Sequence, residues 1–193
     1  MGKARLEAFS DGVIAIIITI MVLELRAPPG TGLAALRPLL PVFLSYVLSF
    51  AYVGIYWVNH HHFLHAAQHV SGKVLWANLF LLFWLSLFPF ATAWMGENHF
   101  AAVPVALYGV VLLMAALAWR PFQASLIAAN GGRDSLLARA TAHDWKGLAS
   151  PVFYAAAIAL AFVHPALSGL LYVAVAVMWL VPDRRIESRL TRA

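Results

Sequence analysis

Six long apolar segments restrict the folds available to this chain more than any other feature of its sequence. A helix needs about 20 mostly apolar residues to cross the hydrocarbon core of a bilayer, which is about 30 Å thick. The sequence predicts an all-α integral membrane protein in which residues 1–193 form a single transmembrane domain of six helices. The predicted spans are residues 6–25, 39–63, 74–94, 101–119, 148–163 and 166–181, of which the last two are separated only by His164 and Pro165.

The composition indicates that lipid is the solvent for much of the chain. Of the 193 residues, 63% are hydrophobic and 11% are charged, whereas soluble proteins average about half apolar and a quarter charged. The basic residues lie between the apolar segments, so the net charge of +5 does not indicate nucleic acid binding. The chain has no cysteine, which excludes disulfides and thiolate metal sites. The expected surroundings are therefore a lipid bilayer and no nucleic acid.

The distribution of lysine and arginine predicts the orientation of these spans. Eleven of the 13 lie in the two termini or in the connections after the second and fourth spans, and only Arg26 and Arg37 lie on the other side. Since lysine and arginine accumulate in cytoplasmic loops, both termini are predicted to be cytoplasmic. An odd number of spans would remove this asymmetry, so the charges support six. Four of the eleven form a basic C-terminal tail, namely Arg184, Arg185, Arg189 and Arg192.

Polar residues gather where the first three spans meet the cytoplasm. Ionisable groups near membrane depth are costly unless they are paired, so they are candidates for function. Asp11 and Arg5 are six residues apart and point to different helix faces, so Asp11 needs a partner on a neighbouring helix. The alternative is that Asp11 has no functional partner and only stabilises the start of the helix, where the helix dipole favours a carboxylate. The cluster comprises Ser10 and Asp11 on the first span, residues 57–62 at the end of the second, and Trp76 and Asn78 on the third.

The first span is apolar on all sides, so its periodicity does not single out one face. Helical spacing places Gly12, Ile16, Thr19, Ile20 and Leu23 on a single stripe. Taken alone, this stripe is more typical of helix packing than of a pore. The hydroxyl of Thr19 can also bond to its own helix backbone.

The start of the first span resembles the signature of the transmembrane-protein-175 family. The resemblance is carried by Arg5-x-x-x-Phe9-Ser10-Asp11, which leads into Gly-Val-Ile-Ala-Ile at residues 12–16. Tyr-Trp-Val-Asn-His-His at residues 56–61 and the stretch 78–90 resemble the same family. The resemblance covers the first half of the chain, and the second half agrees only in hydropathy. Members of this family are potassium channels, lysosomal in animals, with shorter prokaryotic members.

The resemblance implies a homotetramer of six-helix subunits in which the first helix of each subunit lines the pore. The apolar narrowings of the family correspond to Ile16, Ile20 and Leu23, and a threonine that contributes to selectivity in some members corresponds to Thr19. The implied location is the plasma membrane of a prokaryote, and the implied ligand is a permeant K⁺ ion without a cofactor. The implied motif network joins Arg5, Phe9, Ser10 and Asp11 to Asn59, His60, His61, Trp76 and Asn78.

The residues themselves give a reason for assembly. The motif occurs once and the chain has no internal repeat, so several copies must surround an axis because one apolar helix cannot enclose a water path. A Thr-Val-Gly-Tyr-Gly stretch is absent, so a carbonyl-lined filter of that type is not expected. Together with the resemblance, which implies potassium channels with apolar narrowings on the first helix, this predicts a potassium-permeable cation channel with a hydrophobic gate on that helix.

Two other functions fit parts of the sequence. A proton- or ion-coupled transporter could use Asp11 and the His60–His62 cluster as a relay, and this remains the main alternative. A metal site could use His61, His65 and His69, which are spaced by four, but no carboxylate or cysteine nearby in sequence completes it. Neither Gly-x-Ser-x-Gly nor His-Glu-x-x-His occurs, so we expect neither an enzyme nor a metal centre.

Overall fold

The computed structural model describes residues 2–142 and 144–181, and the predicted basic tail at residues 184–192 lies outside them. The described part is all-helical. Short 3₁₀ helices at Leu33–Leu39 and Gly132–Asp134 connect longer elements. The α-helices are α1 (Lys3–Leu23), α2 (Leu40–Ala66), α3 (Gly72–Ser86), α4 (Phe88–Glu97), α5 (Ala102–Ala129), α6 (Leu136–Thr141), α7 (Trp145–Ala161) and α8 (Pro165–Leu180).

Helix length separates the apolar segments into two groups. Within the described residues, four stretches are long and apolar enough to cross a membrane: Lys3–Leu23, Leu33–Ala66, Gly72–Glu97 and Ala102–Ala129. The helices α7 and α8 are also apolar but have only 17 and 16 residues. At 1.5 Å per residue each is about 25 Å long, somewhat less than the hydrocarbon thickness of about 30 Å.

The third apolar segment is broken in the middle. A single span is predicted over residues 74–94, but the structure has two helices, α3 and α4, that meet at Leu87. Pro89 explains the break, because proline has no amide hydrogen to donate within a helix and is best placed in the first turn of a new one. The two halves of this segment are therefore separate helices.

Buried tyrosines join the helices that support α1. Tyr52 on α2 donates its hydroxyl hydrogen to the Tyr172 carbonyl oxygen at 2.6 Å, and Tyr172 on α8 donates to the Val105 carbonyl oxygen at 3.1 Å. Tyr108 on α5 contacts Tyr172 edge to face, with ring centroids 5.6 Å apart. The helix α1 packs against α2, α3 and α4, which form one side of this bundle.

Candidate functional site

The helix α1 has one buried and one exposed face. The buried face consists of Leu6, Ser10, Ile14, Ile17 and Met21. The predicted stripe lies on the exposed face, where Ile16 is 58% exposed, Ile20 42% and Leu23 77%. Gly12 and Thr19 are exposed on the same face. An apolar face of this size contacts lipid, packs against another chain or forms the wall of a pore.

The hydroxyl of Thr19 is bonded within its own helix. Its Oγ1 lies 2.7 Å from the Ala15 carbonyl oxygen and 3.0 Å from the Ile16 carbonyl oxygen. The hydroxyl hydrogen of Thr19 is therefore bonded within α1, so Thr19 can offer only oxygen lone pairs to a group outside this helix.

A buried network joins α1, α2 and α3 on the opposite face. His60 Nε2 and Asn78 Oδ1 are 2.7 Å apart, and Asn78 Nδ2 donates to Ser10 Oγ at 3.0 Å. Ser10 in turn donates to the Leu6 carbonyl oxygen at 2.9 Å. Because the Asn78 carbonyl oxygen can only accept, His60 must carry its proton on Nε2. Three of the residues of the predicted motif network thus meet in one directional chain of hydrogen bonds.

His60 is the most deeply buried histidine in this network, with 1% of its surface exposed. Its ring stacks on Phe122 of α5, with centroids 5.0 Å apart and planes within 10°. Its Nδ1 has no hydrogen-bond partner among the residues that the structure describes. Phe122 was not expected from the sequence, because its position in α5 carries no local signal that pairs it with α2.

Asp11 finds its partner on a neighbouring helix, and that partner is Trp57 of α2. The indole Nε1 donates to Asp11 Oδ1 at 3.0 Å. The sequence placed Trp57 in the polar cluster without choosing it as the partner of Asp11. Trp57 precedes His61 by one helical turn, and the two rings stack with centroids 6.2 Å apart.

A second, more exposed link joins α1 to α2. His61 Nδ1 lies 3.3 Å from Glu7 Oε1, and Lys3 Nζ donates to the His65 carbonyl oxygen at 2.8 Å. Glu7 was not assigned to the network from the sequence, although it lies one turn before Asp11. Both contacts lie at the end of α2 where the predicted cytoplasmic cluster ends.

Four residues of the predicted network lie apart from these bonds. Arg5 is exposed, and its side chain makes no hydrogen bond or ion pair with the described residues. Phe9 is half exposed, and Trp76 is 76% exposed. Asn59 donates to the Ile55 carbonyl oxygen of its own helix at 2.8 Å. In a single chain, therefore, Ser10, His60 and Asn78 are bonded together, whereas Asp11 and His61 bond separately, to Trp57 and Glu7.

A cleft of about 950 Å³ lies beside the exposed stripe, between α1, α2 and the C-terminal end of α8. Its apolar wall includes Ile14, Ile18 and Phe50. Its polar residues are Asp11, Asn59, His62, Asp144 and Lys146. The Asp11–Trp57 pair therefore borders this cleft, unlike the buried Asn78.

The histidine spacing does not produce a metal site in the described residues. The rings of His61 and His65 are 5.9 Å apart. His69 was predicted to share their helical face, but α2 ends at Ala66, so that prediction is wrong. No group of three histidine, aspartate or glutamate side chains in residues 2–142 and 144–181 is arranged to hold a metal ion.

Comparison with known proteins identifies the family of the chain. Residues 5–89 match the family described as the endosomal/lysosomal potassium channel TMEM175. The chain is 52% identical over 190 residues to a potassium channel of Chryseobacterium sp. (strain P1-3), and the match covers 98% of both chains. The chain belongs to the TMEM175 family. This agrees with the resemblance seen at Arg5, Phe9, Ser10 and Asp11.

Other TMEM175 proteins cover the chain to different extents. The human endosomal/lysosomal proton channel TMEM175 is 38% identical over 96 residues, which are 43% of this chain but 19% of the human protein. The crystal structure of a lysosomal potassium-selective channel TMEM175 homolog from Chamaesiphon minutus matches with a TM-score of 0.77 and 28% identity. That match covers 93% of this chain and 96% of the other. Membership of the TMEM175 family makes the protein an ion channel and not an enzyme.

Proposed function

We propose that the protein is a potassium-permeable cation channel whose pore is lined by the exposed face of α1. The observation that carries this proposal is the division of α1 into two faces. One face is fixed to α3 by the bond between Asn78 and Ser10, while Ile16, Ile20 and Leu23 on the other face are exposed in the described chain. The bacterial relative is named a potassium channel, which gives the permeant ion.

The proposed membrane arrangement has six spans. In it, α3 and α4 together form the third span, while α7 and α8 form the short fifth and sixth. Both termini then lie in the cytoplasm of a prokaryotic cell with the protein in its plasma membrane, as the charge asymmetry favours. Short helices can cross if the bilayer thins locally around them, at a modest cost per ångström of mismatch.

The proposed assembly is a homotetramer. One copy of α1 cannot surround an aqueous path, so the apolar stripe needs identical stripes around a common axis. Such a ring closes by head-to-tail contacts, in which two different surfaces of each copy meet. In this assembly the half-exposed Phe9 and the largely exposed Trp76 lie between copies, where a neighbouring chain covers them.

The proposed gate is a set of apolar rings at Ile16, Ile20 and Leu23. Such rings exclude water when they are narrow, and a small tilt or rotation of α1 wets them. A passing ion loses part of its hydration shell at each ring with little replacement from the protein. K⁺ holds its water less tightly than Na⁺, so it crosses more easily, while the oxygen lone pairs of Thr19 supply a limited polar contact.

The test compares two asparagine substitutions in purified protein reconstituted into liposomes. Ile16→Asn places an amide in the proposed constriction, so we expect larger K⁺ flux and a lower preference for K⁺ over Na⁺. Leu170→Asn is the control, because Leu170 on α8 is similarly exposed at 64% but lies away from α1. If Ile16→Asn keeps the flux and ion preference of the unmodified protein, α1 does not line the pore.

The same preparation separates the channel from the transporter that would use Asp11 and His60–His62. A channel passes K⁺ down its gradient without a coupled proton, whereas a coupled transporter moves both in a fixed ratio. Flux is therefore measured under K⁺, Na⁺ and proton gradients in turn. The proton gradient also tests whether the protein shares the property for which its animal relatives are named.

A further inference from the structure

Three buried hydroxyl groups form a chain that ends at the pore-lining helix. Tyr108 OH on α5 lies 3.0 Å from Ser49 Oγ on α2, which lies 2.7 Å from Thr92 Oγ1 on α4. Thr92 Oγ1 also lies 3.8 Å from the Met21 sulfur on α1. All four side chains are almost completely buried. No other side-chain bond of Ser49, Thr92 or Tyr108 is present in the described residues.

Thr92 is the donor in both of its contacts. Its hydroxyl donates to Ser49 Oγ at 2.7 Å and also points to the Met21 sulfur at 3.8 Å, whereas either Ser49 or Tyr108 can donate in the third contact. Because a hydroxyl has one hydrogen, the hydrogen of Thr92 is shared between the Ser49 oxygen and the thioether. Met21 is the acceptor that links this buried group to α1.

We propose that Thr92 is a positioning residue for the constriction, because its hydroxyl holds Met21 and so fixes the rotation of the outer half of α1. The proposal rests on the proposed pore lining by α1. Successive residues of a helix are 100° apart, so Met21 and Leu23 project to nearly opposite sides. Met21 therefore sets the direction in which Leu23 faces, and a rotation that releases the sulfur moves Leu23 by the same angle.

This outer contact is distinct from the motif network. Ser10 is 11 residues from Met21, which is about 16 Å along the helix. Ser10 is held by Asn78 on α3, whereas Met21 is held by Thr92 on α4. Because the break at Leu87 separates α3 from α4, the two contacts are made by different helices.

The chain contains no cysteine, so a single introduced cysteine reports on one position. We would measure how fast a water-soluble methanethiosulfonate reagent modifies Leu23→Cys, and how far modification blocks K⁺ flux, in reconstituted protein. The same cysteine is then combined with Met21→Leu, which keeps the volume but removes the acceptor, and with Thr92→Val, which removes the hydroxyl. Thr92→Ser restores the hydroxyl and serves as the rescue.

The matched control is Met95→Leu. Met95 is as buried as Met21 but makes no side-chain hydrogen bond with the described residues. We expect Met21→Leu and Thr92→Val to change the modification rate by about twofold or more, a modest factor because a thioether is a weak hydrogen-bond acceptor. Met95→Leu and Thr92→Ser should leave the rate unchanged. A cysteine at the highly exposed Val163 should react equally in all backgrounds.

The outcomes separate the two proposals. If Leu23→Cys reacts but its modification leaves K⁺ flux intact, or if it does not react, α1 does not line the pore and the positioning role falls with it. If modification blocks flux but Met21→Leu and Thr92→Val leave the rate unchanged, the pore lining stands and the positioning role is refuted. An equal change in Met95→Leu would refute it too, because general loosening would then explain the effect. Should Thr92→Val fail to assemble, Met21→Leu alone decides.

Discussion

Replacing Asn78 by leucine removes the hydrogen bonds that join α1, α2 and α3. Asn78 is fully buried, with Oδ1 at 2.7 Å from His60 Nε2 and Nδ2 at 3.0 Å from Ser10 Oγ. Leucine has a similar shape but offers neither a donor nor an acceptor. The Nδ1 of His60 already has no described partner, so both nitrogens of this buried ring would be unpaired.

The expected loss of stability follows from two contributions. Hydrogen bonds between membrane helices average about 0.6 kcal/mol each, so the two bonds of Asn78 account for about 1.2 kcal/mol. Leaving the buried N–H of His60 without an acceptor costs about 1–3 kcal/mol more. The total is about 2–4 kcal/mol per copy, and the unpaired ring nitrogen is the larger part. For a chain of this size that corresponds to a fall in Tm of about 5–10 °C.

The assay is thermal unfolding of the purified protein in detergent, followed by the fluorescence of its tryptophans. Asn59→Leu is the control, because the Asn59 amide bonds only to the Ile55 carbonyl oxygen of its own helix. We expect the Tm of Asn78→Leu to lie at least about 5 °C below that of Asn59→Leu. If the two variants unfold within about 2 °C of each other, the buried network does not stabilise the packing of α1 as reasoned here.

Two further substitutions test helix packing by the same thermal assay. Gly96→Ala should destabilise by about 1–3 kcal/mol, because the added Cβ would lie 2.7 Å from the Cα of Val42, whereas Gly169→Ala has open space and should be neutral or stabilising. Trp57→Phe removes the donor to Asp11 but borders the cleft, where water can replace it, so its cost should stay below about 1 kcal/mol. A larger loss in Trp57→Phe than in Asn78→Leu would contradict this ranking.

The sequence could predict the stripe on α1 but not which way it faces. Helical spacing alone places Ile16, Ile20 and Leu23 together. The helix is apolar all round, so its hydrophobicity does not distinguish this stripe from the opposite one that contains Ile17 and Met21. The distinction comes from the hydrogen bonds of Ser10, which turn its own side of the helix toward α3.

The membrane depth at which the predicted spans begin and end indicated a polar cluster, but it could not determine which side chains pair within the cluster. Side chains on three helices end near the same level, and the pairing of Asp11 with Trp57 depends on how α2 is rotated. The end of α2 was also unpredictable from local sequence. Asn130, at the C-terminal end of α5, accepts from the backbone amides of Gln68 and His69 at 2.7 and 2.8 Å. This contact keeps His69 outside α2. The break in the third apolar segment did have a local signal, which is Pro89. The continuous run of apolar residues around it nevertheless favoured a single span.

The two helices of the third apolar segment support α1 at two places. Its N-terminal half is bonded to α3 through Ser10, and its C-terminal half contacts α4 through Met21. Because α1 is one continuous helix from Lys3 to Leu23, both supports act on the same element. A rotation at Met21 that leaves Ser10 bonded to Asn78 must therefore be taken up as twist in the roughly three turns between them. Ile16 lies between the two supports, so its direction depends on both, whereas the direction of Leu23 depends mainly on Thr92.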